Sequence, residues 1–219
     1  MSGQKISVVE TFLSIQGEST HAGRLCFFIR LAGCNLNCHY CDTAYAKKTS
    51  DGSEYEIEPL VELALNSGVK LVEVTGGEPL HQSKTPELCD KLLQAGLEVL
   101  IETNGSLPIS TLPTGVKKIL DCKTPSSGMS EYNLYENYPF LSPHDEIKFV
   151  ISDRNDYDFS LDVIARYNLQ QCTPNLLFSP GWNSITPETL AAWMIADKTP
   201  ARLQLQMHKI IWGPDKVGV

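Results

Sequence analysis

The chain has 219 residues, with 18 Lys and Arg against 26 Asp and Glu and a formal net charge of -8 at pH 7. Such an acidic protein lacks the basic surface that displaces counterions from phosphates, which excludes broad nucleic-acid binding and favours a small-molecule substrate. No apolar run approaches the roughly 20 residues of a membrane span, and the mixed stretch 1–16 with charges at Lys5 and Glu10 matches neither a secretory nor a transit signal. A soluble cytoplasmic protein without a membrane partner is expected.

Apolar runs of strand length alternate with helix-like segments, and no repeat, low-complexity tract or linker divides residues 1–219, so one domain is expected. Ile6 to Ile15 and Leu25 to Leu31 read as strands, and polar Lys47 to Ser53 as an exposed turn. Ile57 to Asn66 reads as a helix closed by Gly68. Strands follow at Lys70 to Thr75 and Leu97 to Glu102, around a helix at Thr85 to Ala95. Val116 to Asp121 and Glu146 to Ile151 are further strands, and the Gly- and Pro-punctuated stretch between them has no assigned structure. A helix at Asp156 to Tyr167, a strand at Asn175 to Ser179, a helix starting at Pro187 and a strand at Arg202 to Met207 complete the chain. The alternation predicts an α/β fold of right-handed βαβ units. The chain is short for a full eight-fold barrel, which takes about 250 residues, so a partial (β/α) barrel of about six to seven mainly parallel strands is expected.

In a chain with no secretion signal, seven cysteines suggest reduced thiols open to metal. Cys34, Cys38 and Cys41 cluster as C-x3-C-x2-C after an apolar strand. Three thiolates could hold a 4Fe–4S cluster with one iron lacking a protein ligand, or a structural zinc completed by His39 or a distant residue. His39 is cramped between two cysteines and reads as an exposed loop residue, while Cys26, Cys89 and Cys172 read as small core hydrophobes. Val74-Thr75-Gly76-Gly77-Glu78-Pro79 follows a strand: its glycines let backbone approach a ligand closely, and Glu78 could receive an ammonium group. Arg30 shares a strand face with Cys26 and Phe28 and needs a partner. That partner could be a carboxylate such as Glu18 or the carboxylate of a substrate, which Arg grips bidentately. Thr43 could cap its loop or offer one oxygen to Mg2+. Lys123 and His208 each follow a predicted strand, on the rim where barrel enzymes build their sites.

The three-cysteine spacing, with Tyr40 before the last cysteine and Gly76-Gly77-Glu78-Pro79 downstream, resembles the radical S-adenosylmethionine superfamily. Within it the chain is similar to the 7-carboxy-7-deazaguanine synthases of queuosine and 7-deazapurine biosynthesis. The matching segments are Ile15 to Glu18, Phe28 to Leu31, Gly33-Cys34, Cys38 to Thr43, Val74 to Pro79, Ile101 to Gly105, Asp121 to Lys123 and Gln206 to Lys209. The resemblance implies a 4Fe–4S cluster on Cys34, Cys38 and Cys41, S-adenosylmethionine on its open iron, and radical ring contraction of 6-carboxy-5,6,7,8-tetrahydropterin with loss of ammonia. It implies that Ile15, Gln16, Gly17, Arg30, Thr75 and His208 contact the pterin, with Arg30 on its carboxylate. Gly77, Glu78, Asp121, Cys122, Lys123, Ser179, Pro180 and Gly181 would lie by S-adenosylmethionine, and Thr43 would ligate Mg2+. A flavodoxin or ferredoxin donor and a homodimer are further family expectations. The tail from Trp212 to Val219 and the stretch Ser179-Pro180-Gly181-Trp182 depart from the family pattern. A glycyl-radical-enzyme activase and a non-enzymatic zinc or iron–sulfur module are the alternatives; the matches at Gln16-Gly17-Glu18 and Cys41-Asp42-Thr43 speak against the activase.

Overall fold

A computed structural model describes residues 5–219. Strands β1 (Ile6–Ile15), β2 (Leu25–Leu31), β3 (Ser53–Tyr55), β4 (Leu71–Gly76), β5 (Glu98–Thr103), β6 (Lys117–Asp121), β7 (Glu146–Ile151), β8 (Asn175–Pro180) and β9 (Arg202–Leu203) form one sheet in the order β3-β1-β2-β4-β5-β6-β7-β8-β9. From β2 through β4 to β9 every neighbour is parallel. β1 runs antiparallel to both β2 and β3. The parallel part is the expected partial barrel, and the two antiparallel strands extend its first edge. β3 falls at the end of the stretch read as an exposed turn; it is short and mostly exposed, so it carries no alternating apolar signal.

Helices α1 (Ile57–Asn66), α2 (Thr85–Gln94), α3 (Arg154–Arg166), α4 (Leu169–Cys172), α5 (Pro187–Asp197) and α6 (Met207–Trp212) link or follow the strands. Pro187 begins α5, and the Thr186 hydroxyl caps it by accepting from Thr189 N at 3.1 Å. The stretch from 124 to 143 folds into short 3-10 turns at Pro125–Ser127, Ser130–Tyr132 and Tyr135–Phe140. The predicted strand at Arg202 to Met207 is corrected: only Arg202–Leu203 pairs, and Met207 opens α6. Past Leu203 the pairing closes with Gln204 N donating to Phe178 O at 2.9 Å, and the side chains of Gln204 and Gln206 bond Glu18 at 3.0 Å each.

Period-two alternation sorts the strands into two faces. One face, with Ile29, Val72, Val74, Val99 and Ile101, packs under α1 and α2, and Ile147, Phe149 and Phe178 continue it under α3 and α5. The other bears a small apolar plug of Cys26, Phe28, Leu71, Leu100 and Ile119, with Phe12 stacked on Phe28 at 4.9 Å. Cys26 and Cys89 are buried as expected, and half-buried Cys172 packs against the α3 core. The loop after β1 meets the chain beyond β9: Ser19 N donates to Gln204 Oε1 at 2.8 Å, and Met207 N to Gly17 O at 2.9 Å. These bonds curl the sheet around a cavity.

Candidate active site

The cavity, about 810 Å³, opens at the carboxyl ends of the parallel strands. Cys34, Cys38 and Cys41 all line it, half-buried, on the loop after β2. Burial raises the Cys34 and Cys38 thiols above their ordinary range, so a metal there must displace protons. Cys34 Sγ already accepts from Leu36 N at 3.5 Å, the kind of contact that supports a cluster thiolate. His39 is exposed as expected, its ring over Gly128.

Gly76 ends β4 and Gly77 follows it, both against the cysteine loop. A Cβ on Gly77 would lie 2.4 Å from Gly33 O, and one on Gly76 2.1 Å from Leu31 O. Here the close approach that requires glycine is between two protein backbones, with Glu78 N donating to Gly33 O at 2.8 Å. Glu78 itself does not face the cavity. Its fully buried carboxylate accepts from Leu80 N at 2.9 Å, Thr103 Oγ1 at 2.9 Å and Asn104 N at 2.7 Å. Burial lifts its pKa to about 6 against those donors. The expectation that it receives a ligand's ammonium is therefore corrected: its acceptors already join the loops after β4 and β5.

Gln16, Gly17, Arg30, Thr75 and His208 line the cavity with Ile15. Arg30 shares the plug face, as its spacing predicts, but its partner is not Glu18. Glu10 stands opposite it in the β1–β2 register, and Arg30 Nε donates to Glu10 Oε1 at 2.7 Å. Among the described residues this engages Nε alone and leaves the terminal nitrogens available. Glu18 instead accepts from Lys148 Nζ at 2.9 Å. Burial pushes Glu18 up, but Lys148, His208 and Gln206 together hold it below the ordinary carboxylate range. His208 lies on α6 rather than past a strand, packed so that a Cβ on Gly17 would come 2.3 Å from its Nδ1. Burial lowers its pKa, with Glu18 pulling the other way.

Asp121 and Lys123 line the cavity and pair at 2.7 Å. Burial works against the Lys123 charge, but Asp121 and Cys38 more than offset it and keep the ammonium form. Cys122 is corrected to a core residue: alternation turns it away, and Tyr138 Oη donates to its Sγ at 3.4 Å. Ser179 and Pro180 are also corrected, because β8 continues through them and leaves both buried; Gly181 alone of that triplet reaches the cavity. Thr43 lines the cavity and donates to Asp42 Oδ1 at 3.0 Å. The tail residues from Pro214 to Val219 also line it.

Sequence reasoning missed Glu73, Glu102 and Lys148, which form the inner wall. Their signal was a charged residue inside an apolar strand, on the inward alternation. It also missed the pairing of Asp42 with Lys209 on α6, at 2.7 Å.

The Radical SAM superfamily model matches residues 28–194. A 7-carboxy-7-deazaguanine synthase of Koribacter versatilis is 40% identical over 98% of this chain and 100% of that relative. The chain belongs to the 7-carboxy-7-deazaguanine synthase family. Another member, from Clostridium acetobutylicum, is 42% identical over 97% of this chain and 98% of its own. The solved structure of QueE from Escherichia coli shares the fold, with a TM-score of 0.76 at 22% identity over 93% of this chain and 95% of that one. Membership of this radical S-adenosylmethionine family brings a 4Fe–4S cluster and S-adenosylmethionine as cofactors, and the cavity fits both. Three thiols share a wall for the cluster, and the buried Asp121 Oδ1 and Tyr40 Oη, both on cavity-lining residues, lack hydrogen-bond partners among the described residues. Such orphaned groups are what a polar cofactor satisfies.

Proposed function

We propose that this enzyme converts 6-carboxy-5,6,7,8-tetrahydropterin to 7-carboxy-7-deazaguanine, with loss of ammonia, in queuosine or 7-deazapurine biosynthesis. The observation that carries the reading is one cavity lined by Cys34, Cys38 and Cys41 together with Arg30, Gln16 and Thr75. When bound, the cluster and S-adenosylmethionine supply a hydrogen-abstracting radical. The chain's own residues bind, orient and exclude water. Cys34, Cys38 and Cys41 hold the cluster, and Gly77, Asp121, Lys123 and Gly181 flank S-adenosylmethionine. Arg30 takes the substrate carboxylate with its free terminal nitrogens. Ile15, Gln16, Gly17, Thr75 and His208 border the ring, and Thr43 offers one oxygen to Mg2+, whose remaining ligands are substrate and water.

The chain acts as one domain, reduced by a flavodoxin or ferredoxin and paired as a homodimer, the two partners that the family resemblance implies. Among the described residues no helix is long and apolar enough to cross a membrane. The test is anaerobic reconstitution with iron and sulfide. The reading expects about four irons per chain, a reduced-cluster paramagnetic spectrum that changes on adding S-adenosylmethionine, and cleavage that depends on the pterin. Zinc in place of iron would favour a structural module. Cleavage without the pterin would favour an activase.

A further inference from the structure

The inner wall of the cavity holds more acid than its cation neutralises. Lys148 Nζ donates to Glu18 Oε2 at 2.9 Å and also to Glu102 Oε1. Glu18 is further occupied by Gln204 and Gln206, each at 3.0 Å. Glu73 is different. It is 3% exposed, lines the cavity, and among the described residues accepts a hydrogen bond only from Gln16 Nε2, at Oε2. Gln16 is itself fixed, its Oε1 accepting from Glu18 N at 2.9 Å. Burial, with Glu102 and Glu18 nearby, pushes the Glu73 carboxyl well above the ordinary carboxylate range, and Lys148 offsets only part of this. A pair of N–H donors from a ligand draws that carboxyl to its ionised form, and a carboxylate offers about four acceptor positions, so Glu73 has acceptor capacity toward the cavity that Gln16 does not use.

Register sets its distance from the cationic end of the cavity. Arg30 pairs with Thr75 and Phe28 with Glu73. Arg30 and Glu73 therefore lie one strand across and two residues along, roughly 8 Å apart at the backbone. That is the scale of a fused bicyclic ring bearing an acid at one end and N–H donors at the other.

We propose that Glu73, held by Gln16, is a specificity-determining residue that accepts hydrogen bonds from the amino and ring N–H groups of the substrate's 2-amino-4-oxopyrimidine edge. This rests on the pterin reading and adds to it: Arg30 grips the acid end, and Glu73 selects the amino-bearing end. A ligand with an oxo group in place of the 2-amino group would set two acceptors against each other.

The experiment measures equilibrium binding of two unreactive probes to the cluster-loaded protein with S-adenosylmethionine. The probes are 6-carboxypterin and 6-carboxylumazine, which carries a 2-oxo group. Wild type is expected to prefer the amino probe by at least about 20-fold. Glu73→Gln, whose amide can turn an N–H toward the oxo group, is expected to bring the two within about threefold. A wild-type ratio under about threefold overturns the proposal, and so does a Glu73→Gln protein that keeps the wild-type ratio. The wild-type ratio decides alone if the variant does not fold. A wild type that turns over the tetrahydropterin yet shows no preference removes only the role of Glu73, whereas a wild type that neither binds the probes nor turns over the tetrahydropterin removes the pterin reading with it.

Discussion

Lys148 sits where two strands' worth of acid meets, 5% exposed, bonded to Glu18 and Glu102. Burial alone would drive its proton off, but Glu102 and Glu18 more than compensate and raise its pKa well above the ordinary lysine value. Replacing it with Met leaves Glu18 and Glu102 without their cation beside Glu73, and breaking such a buried pair costs about 3–5 kcal/mol. Denaturant titration of Lys148→Met should show a loss of that size; a midpoint within experimental error of wild type would mean that water already solvates these acids. The residue scale is also where the sequence was least legible. Lys148 in Glu146-Ile147-Lys148-Phe149-Val150 and Glu73 in Leu71-Val72-Glu73-Val74 read as strand residues, and nothing local says that their partners lie on β5 and in the loop after β1. Spacing places Arg30 on the right face, but that its carboxylate partner is Glu10 and not Glu18 follows from a β1–β2 register that only pairing reveals.

Among the elements, the end of β4 has the strictest demand. Gly77 N donates to Leu31 O at 3.1 Å and Glu78 N to Gly33 O at 2.8 Å, so the strand end is sewn to the start of the cysteine loop. Gly77→Ala places a methyl group 2.4 Å from Gly33 O and must push the loop away. The variant should retain less iron after reconstitution than wild type and lose it faster in air, as read from cluster absorbance. Unchanged iron content would mean that the loop yields without moving its sulfurs. Most elements were legible because period-two runs and helix stops such as Gly68, at φ +76°, are local signals. β3 and α6 were not, and β9 was legible only at its start, since short edge segments owe their form to partners far along the chain. The same distance dependence hid the Asp42–Lys209 pair, which fastens α6 to the residue after Cys41.

Across the whole molecule, the two ends of the barrel do different work. At the amino ends of the strands Glu98 opens β5 between Arg24, at 2.7 Å, and Lys117, at 2.6 Å. The hydrogen bonds from Arg24 chiefly, then those from Lys117, hold Glu98 down to about 2 from an ordinary 4.5. A carboxyl depressed by folding adds stability above its unfolded pKa and loses it as pH falls through its folded one. The stability gap between wild type and Glu98→Gln should therefore be full above pH 4.5, shrink below it and close near pH 2; a gap independent of pH would show that the ion pairs contribute nothing. The opposite end carries the chemistry, because every parallel strand delivers a loop there. Reconstituted, reduced protein given S-adenosylmethionine, Mg2+ and 6-carboxytetrahydropterin should release 7-carboxy-7-deazaguanine and ammonia in equal amounts, and Cys38→Ala should release neither. S-adenosylmethionine cleavage without that product, or product from the cluster-free variant, would contradict the proposed reaction.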